Sequence, residues 1–224
     1  MGRMIKAILF DLDNTLIDFM MMKHKCCEAA IDSMIAIGLN IKRKKALKIL
    51  FQLYDKYGIE DKQIFEKFLK KTTGKIDYKI VTHGIIAYRK LKESYLAPYP
   101  HVIPTLIELK KKYKLAIISD APRMGAWLRL VTMNIDDFFN VIITAADVRK
   151  KKTYTAPFRA ALKALKIKPE EALMVGDVIK RDIKQAKKLG IKTCFAKYGA
   201  IKPIAKGKSG ADFEINDVRE LTRV

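Results

Sequence analysis

A short apolar run that ends in two acidic residues constrains this chain more than any other feature. Residues 5–10 are apolar apart from Lys6, and Asp11 and Asp13 follow, two positions apart. The run predicts a buried strand with both carboxylates at its C-terminal end, where open α/β sheets place their active sites. An Asp-Asn turn after an ordinary strand is the simpler interpretation. It is weakened because burying unpaired charge is costly and because matching elements follow downstream.

The composition limits the class of protein. The 224 residues, half of them hydrophobic, suffice for one large domain or for a core with a smaller second domain. No window approaches the roughly 18 consecutive apolar residues of a membrane span, so no membrane partner is expected. The cysteines, at positions 26, 27 and 194, lack the spacing of a disulfide framework or of paired metal ligands. This cysteine usage fits a cytoplasmic location.

A formal net charge of +21 makes the chain strongly basic. Such an excess attracts anions, including nucleic acid and phosphorylated metabolites. The lysines are spread over several short runs that match the polar faces of amphipathic helices, so a solvated surface is the favoured interpretation. No stretch combines clustered basic and aromatic residues as single-strand binders do. A nucleic-acid-binding protein is therefore an alternative from another class, and no specific nucleic acid partner is expected.

The hydrophobic period changes along the chain. It is helical from residue 16 to 97, and beyond residue 98 short apolar strands alternate with helices. Helices are predicted in the first part at 20–37, 43–57, 61–70 and 78–95, and strands in the second at 115–118, 141–143, 172–175 and 193–196. This alternation is typical of a parallel sheet covered on both faces. We predict a doubly wound, Rossmann-like α/β core from residues 1–15 and 98–224, with an all-helical domain inserted at 16–97.

The insertion directly follows the acid-bearing strand. An element inserted there is expected over the active-site end of the sheet, where it can act as a lid that closes on substrate.

Two further elements place polar groups at the same end of the predicted sheet. Ser119 and Asp120 follow the strand at 115–118. Either residue could instead cap the helix that Pro122 begins, and for Asp120 we favour the cap. Lys152 precedes a further helix, where an ammonium could hold a phosphate. Only its register singles it out from the neighbouring Lys151.

The last element is the segment 176–182. Asp177 follows an apolar strand and Gly176, and a glycine lets the backbone approach a ligand closely. Asp182 falls in the first turn of the next predicted helix, where it could also complement the helix dipole.

Three acids at one sheet end repel one another unless a cation lies among them. With no His or Cys nearby, oxygen ligands select Mg²⁺, which binds through one or two carboxylates, waters and a substrate phosphate. A carboxylate nucleophile, a second acid, a divalent ion, a hydroxyl and a lysine together form a phosphoryl-transfer site.

In this order the motifs resemble those of the haloacid dehalogenase-like hydrolase superfamily, of the type with a helical cap. Residues 11–15 match the first motif, Ser119 the second and Lys152 the third. Gly176-Asp177 with Asp182 matches the fourth, and the helical insertion matches the family's cap in place and size.

The resemblance implies a role for each residue. Asp11 would be the nucleophile that forms an aspartyl-phosphate, and Asp13 would protonate the leaving oxygen and then activate water. Ser119 and Lys152 would hold the phosphoryl group. Mg²⁺ would be bound by Asp11, the backbone carbonyl of Asp13 and Asp177. Asp182 would support the metal's water shell or orient Lys152.

Position 13 decides between two activities of this superfamily. Its 2-haloacid dehalogenases typically carry Tyr there and use no metal, whereas this chain has Asp13, so a phosphatase is predicted and a dehalogenase is the alternative. The chain departs from the family pattern at Thr153 and Thr155, where relatives usually have proline, and at Asp120, where they often have Asn. An inward acid would repel phosphate, so Asp120 is expected to turn away as a cap.

The general resemblance is to archaeal phosphatases of small metabolites. It implies a small phosphorylated metabolite as partner, with triose phosphates or phosphoglycolate as candidates, in a monomer or homodimer.

Overall fold

The chain forms two compact units in a computed structural model that describes residues 4–201, 204–205 and 207–223. The first unit comprises Met1–Phe19 and Leu96–Val224, and the second is Met20–Tyr95. No helix in the described ranges is both long enough and apolar enough to cross a bilayer.

The second unit is helical. Its helices are α1 Phe19–Ala36, which begins one residue before the unit, α2 Arg43–Tyr57, α3 Ile64–Thr73 and α4 Tyr78–Ser94. Apolar residues at helical spacing, such as Ala30 and Met34 of α1, are fully buried and pack with Leu50 and Phe68 into a separate hydrophobic core. Asp77 caps α4 by accepting from two backbone N–H groups.

The first unit is built on a parallel sheet. Among the described residues, six strands pair in the order β3-β2-β1-β4-β5-β6. The strands are β1 Ala7–Phe10, β2 Lys114–Ser119, β3 Val141–Thr144, β4 Ala172–Gly176, β5 Lys192–Ala196 and β6 Phe213–Ile215. Every neighbouring pair is parallel. This arrangement confirms the predicted doubly wound, Rossmann-like α/β core.

The register of the central strands determines where the polar residues lie. Phe10 of β1 pairs with Ile117 of β2 on one side and with Val175 of β4 on the other. The residues that follow these three strands therefore leave the sheet at the same edge. The strand order reverses between β1 and β4, and open α/β sheets bind their ligands at such a switch point.

Helices cover the sheet. They are α5 Val102–Lys110, α6 Arg123–Thr132, α7 Ala145–Val148, α8 Ala156–Leu165 and α9 Lys184–Lys187. Phe158 and Leu165 of α8 pack against Leu9, Ile118 and Met174 of the sheet in the hydrophobic core of this unit.

Two elements differ from the sequence prediction. β6 is not predicted, because three residues with a central Glu214 form no apolar run. The helix predicted to carry Asp182 in its first turn begins instead with a π-helical turn, Ile179–Ile183, in which the N–H of Lys184 donates to the carbonyl of Ile179 five residues earlier.

Candidate active site

Three buried carboxylates meet at the switch point of the sheet. Asp11 directly follows β1, Asp177 directly follows β4, and Asp182 lies in the π-helical turn. One oxygen from each lies within 4.8 Å of the others. The structure therefore brings together three acids that the sequence placed at one end of the sheet.

Lys152 balances part of this negative charge. Its Nζ lies 2.6 Å from Oδ1 of Asp11 and 2.7 Å from Oδ1 of Asp182, and its side chain is fully buried. Although burial lowers the pKa of Lys152, the Asp11 and Asp182 carboxylates raise it above the usual value. The neighbouring Lys151 is exposed. Of the two candidate lysines, only Lys152 reaches the acids.

The two oxygens of Asp11 have different surroundings. Oδ1 contacts Lys152 and also accepts a hydrogen bond of 2.7 Å from the backbone N–H of Leu12. Oδ2 is buried and accepts no hydrogen bond from any residue that the structure describes. The backbone N–H of Asp11 donates to the carbonyl of Val175 at 2.9 Å, which continues the pairing of β1 with β4. Asp11 therefore has one oxygen held by neighbouring groups and one oxygen that could meet a ligand.

Of the three carboxylates, Asp177 has the surroundings that most need a positive partner. Neither of its buried oxygens accepts a hydrogen bond within the described part of the chain. Burial, together with the Asp11 and Asp182 charges, raises its pKa to about 9. An ionised carboxylate in this position requires a positive partner. A set of carboxylate oxygens without His or Cys fits a hard divalent cation.

Asp182 is positioned by close packing against β4. Its Oδ2 accepts from the backbone N–H of Val178 at 2.9 Å, and its Oδ1 contacts Lys152. A Cβ at Gly176 would lie only 2.5 Å from the Cγ of Asp182, so this approach requires glycine.

Ser119 and Asp120 follow β2 at the same edge. Ser119 is buried, and its Oγ accepts from the backbone N–H of Ala121 at 3.1 Å. The expectation that Asp120 caps the next helix is wrong, since α6 has no side-chain cap at its Pro122 N-cap. Oδ1 of Asp120 instead accepts from the backbone N–H of Lys152 at 2.7 Å. Asp120 therefore fixes the segment that carries the buried lysine.

Asp13 lies beside an arginine that the sequence analysis missed. Its Oδ1 is 3.2 Å from Nε of Arg129, a buried residue of α6 whose guanidinium lies 4.6 Å from the ring centre of Phe19. The available signal was the position of Arg129 on the helix face that also carries the buried Ala126 and Leu130.

A second missed arginine lies beside Asp11. Nη2 of Arg181 is 3.7 Å from Oδ2 of Asp11, and Nη1 is 3.5 Å from Oδ2 of Asp120. The signal in the sequence was a basic residue directly before Asp182, within a segment already selected for its acids.

Comparisons with known proteins show the family to which the chain belongs. A profile of the haloacid dehalogenase-like hydrolases matches residues 8–196. The chain belongs to this family. It is 37% identical over 222 residues to a glyceraldehyde 3-phosphate phosphatase of Methanocaldococcus jannaschii, covering 99% of this chain and 97% of that protein. It is 35% identical to a protein of the same name from Pyrococcus furiosus, covering 99% and 93%.

A solved structure supports the same assignment. The HAD phosphatase from Thermococcus onnurineus superimposes with a TM-score of 0.70 and 26% identity, covering 98% of this chain and 97% of that chain. Together these relatives confirm the prediction of a phosphatase of the haloacid dehalogenase-like type.

A short loop supports the first motif of this haloacid dehalogenase-like phosphatase. Asn14 has a left-handed backbone, with φ of 61°. The backbone of Gly199 packs directly against the Asn14 carbonyl, and a Cβ there would lie 1.5 Å from that oxygen. The hydroxyl of Tyr198 donates to the carbonyl of Thr15 at 2.7 Å. Residues 197–199 thus hold the backbone that follows Asp11.

Proposed function

We propose that this phosphatase uses Mg²⁺ and hydrolyses small phosphorylated metabolites, with a triose phosphate as the substrate class. The observation that carries the proposal is the environment of Asp11, a buried carboxylate with one oxygen held by Lys152 and the other without a hydrogen bond in the described chain. The substrate class is supported by the two relatives named glyceraldehyde 3-phosphate phosphatase, which this chain covers almost completely.

Each residue of the site has a part in this chemistry. Oδ2 of Asp11 attacks phosphorus, and an aspartyl-phosphate forms as the phosphate ester bond breaks. Asp13 donates a proton to the leaving oxygen and later accepts one from the water that hydrolyses the intermediate. Lys152 and the hydroxyl of Ser119 bind the phosphoryl oxygens. Asp120 contributes to phosphate binding indirectly, through its hydrogen bond to the backbone of Lys152.

Asp11 and Asp177 are the proposed side-chain ligands of Mg²⁺, together with the backbone carbonyl of Asp13. Two properties of Asp177 support this assignment: its oxygens accept no hydrogen bond from the described residues, and its pKa is raised. When bound, Mg²⁺ supplies positive charge that offsets the charge of the phosphoryl oxygens. Of the two roles considered for Asp182, the 2.7 Å contact with Lys152 supports orientation of the lysine.

The helical unit Met20–Tyr95 is proposed to be the cap of this enzyme. It interrupts the catalytic unit between β1 and β2, and it has a hydrophobic core of its own. Because the unit has its own core, it can move as a whole without disturbing the sheet. Such movement is what a lid needs to admit substrate and exclude water.

Replacement of Asp11 by asparagine tests the proposed function. Asp11→Asn should abolish release of phosphate from p-nitrophenyl phosphate and from glyceraldehyde 3-phosphate, because an amide oxygen is a poor nucleophile. Wild-type turnover should require Mg²⁺ and stop in EDTA. Asp137→Asn, a change at an exposed aspartate of the same unit, should remain fully active. If Asp11→Asn turned over substrate nearly as fast as Asp137→Asn, Asp11 would not be the nucleophile.

A further inference from the structure

Arg181 brings hydrogen-bond donors into the site that its neighbours satisfy only in part. Its closest acceptors lie 3.5 Å and 3.7 Å from its two Nη atoms, longer than a good charge-assisted hydrogen bond. Its Nε is buried and has no hydrogen-bond partner among the described residues. The side chain is 32% exposed, so solvent reaches part of it.

The position of Arg181 relative to Asp11 is specific. Lys152 contacts Oδ1 of Asp11, whereas Arg181 stands beside Oδ2. Oδ2 accepts no hydrogen bond from the residues that the structure describes, and it is therefore the oxygen that approaches phosphorus. A reacting phosphorus lies about 3–3.5 Å from its nucleophile. The other oxygens of the phosphoryl group then lie within reach of a guanidinium that is itself 3.7 Å from Oδ2.

We propose that Arg181 is a further catalytic residue, which binds non-bridging oxygens of the transferring phosphoryl group beside Oδ2 of Asp11. This proposal rests on the proposed function of the site. A planar guanidinium matches two phosphate oxygens at once, which a lysine does not. Asp120 orients the side chain by holding its Nη1, and so connects Arg181 and the backbone of Lys152.

A competing explanation makes a different prediction. Four acids, Asp11, Asp120, Asp177 and Asp182, raise the pKa of Arg181 above its usual value despite its burial, which shows how strongly they attract a cation. If Arg181 served only to neutralise these acids, its loss would strengthen Mg²⁺ binding and leave phosphate binding unchanged.

Phosphate binding in the presence of Mg²⁺ separates the two explanations. Inorganic phosphate would be titrated calorimetrically into wild type, Arg181→Gln, Arg181→Lys and Lys180→Gln, each checked for an unchanged fold. Lys180 is the matched control, because it is exposed, adjacent and of the same charge. Arg181→Gln should weaken phosphate binding by about 10- to 100-fold, the usual effect of losing a hydrogen bond to a charged group. Arg181→Lys should retain part of the affinity.

Turnover gives a second readout. Arg181→Gln should lower kcat/KM by a similar factor for p-nitrophenyl phosphate and glyceraldehyde 3-phosphate, since the two share only the phosphoryl group. Lys180→Gln should match wild type in both measurements. Unchanged phosphate affinity in Arg181→Gln, with or without tighter Mg²⁺ binding, would overturn the proposal, as would a loss confined to one substrate. A wild type that binds phosphate but hydrolyses neither ester would count against the proposed function alone.

Discussion

Lys152 is the side chain on which the charge balance of the site depends. It is enclosed between Asp11 and Asp182 with no exposed surface. Removing one partner of a buried ion pair leaves the other charge desolvated and unpaired. A change at this position should therefore affect stability as well as catalysis.

Replacement of Lys152 by methionine should lower the free energy of unfolding by about 3–5 kcal/mol in metal-free buffer, the usual cost of breaking a buried pair. It should also remove phosphatase activity. Urea denaturation and release of phosphate measure the two effects. Lys151→Met, at an exposed position, is the matched control and should change neither. A loss in Lys151→Met with Lys152→Met unaffected would show that the neighbouring lysine acts instead.

The sequence indicated which acids would lie together where the chemistry had a local pattern. Acids directly after apolar strands are unusual, and Asp11 and Asp177 indeed lie in one cluster with Asp182. Arg129 and Arg181 were missed because an arginine on a helix usually marks a solvated face. Only the tertiary structure shows that Arg129 is buried beside Asp13. The orientation of Asp120 was wrong for the same reason, since its partner is 32 residues away.

At the scale of elements, residues 197–199 support the active site although they contribute no catalytic group. They hold the backbone next to Asp13 in place. Gly199 touches the backbone of Asn14, which cannot rotate away as a side chain can. Extra volume at this contact must displace the loop or the chain next to Asp13.

Gly199→Ala should therefore cost about 1–3 kcal/mol of stability through overpacking and reduce kcat, since the backbone between Asp13 and Thr15 must shift. Thermal unfolding and steady-state kinetics measure these effects. Gly125→Ala is the comparison for stability alone, because its new Cβ would meet side-chain atoms and no backbone, namely Nη1 of Arg129 at 3.3 Å and Cδ of Pro122 at 3.8 Å. If Gly199→Ala were as stable and as active as wild type, the loop would have no such supporting role.

Strands β1 to β5 lie within about two residues of their predicted positions, because short apolar runs between turn residues are a strong signal. β6 gives no such signal. Its three residues become a strand through pairing with Cys194–Ala196 of β5. The π-helical turn at residues 179–183 was equally invisible in the sequence, and the Asp182 carboxylate within it accepts from the backbone N–H of Val178.

At the scale of the whole molecule, the net charge of +21 is the dominant property. Like charges on one surface repel one another and attract polyanions, and salt screens both effects beyond about 10 Å at 0.1 M. The basic surface should attract polyanions even though the chain is a phosphatase.

We expect weak binding to nucleic acids without sequence preference, falling steeply as salt rises. Fluorescence anisotropy with labelled single-stranded and duplex DNA at several salt concentrations measures it. The Asp11→Asn variant should bind equally well, since the interaction is independent of the catalytic site. Binding that resisted salt, or that distinguished one sequence from another, would contradict a purely electrostatic surface effect and revive the alternative of a nucleic-acid-binding protein.

The central place of β1 in the sheet has a consequence for how the protein is made. β1 is synthesised first, yet its neighbours β2 and β4 begin only at residues 114 and 172. The helical unit is contiguous in the chain and is complete at residue 95. It can therefore fold on the ribosome while β1 is still unpaired. The chain that connects β1 to β2 and β4 is long, and bringing its ends together costs entropy before any strand contact forms. Sheet assembly is therefore slow. A nascent chain stopped before residue 172 would expose an apolar strand and be a target for chaperones.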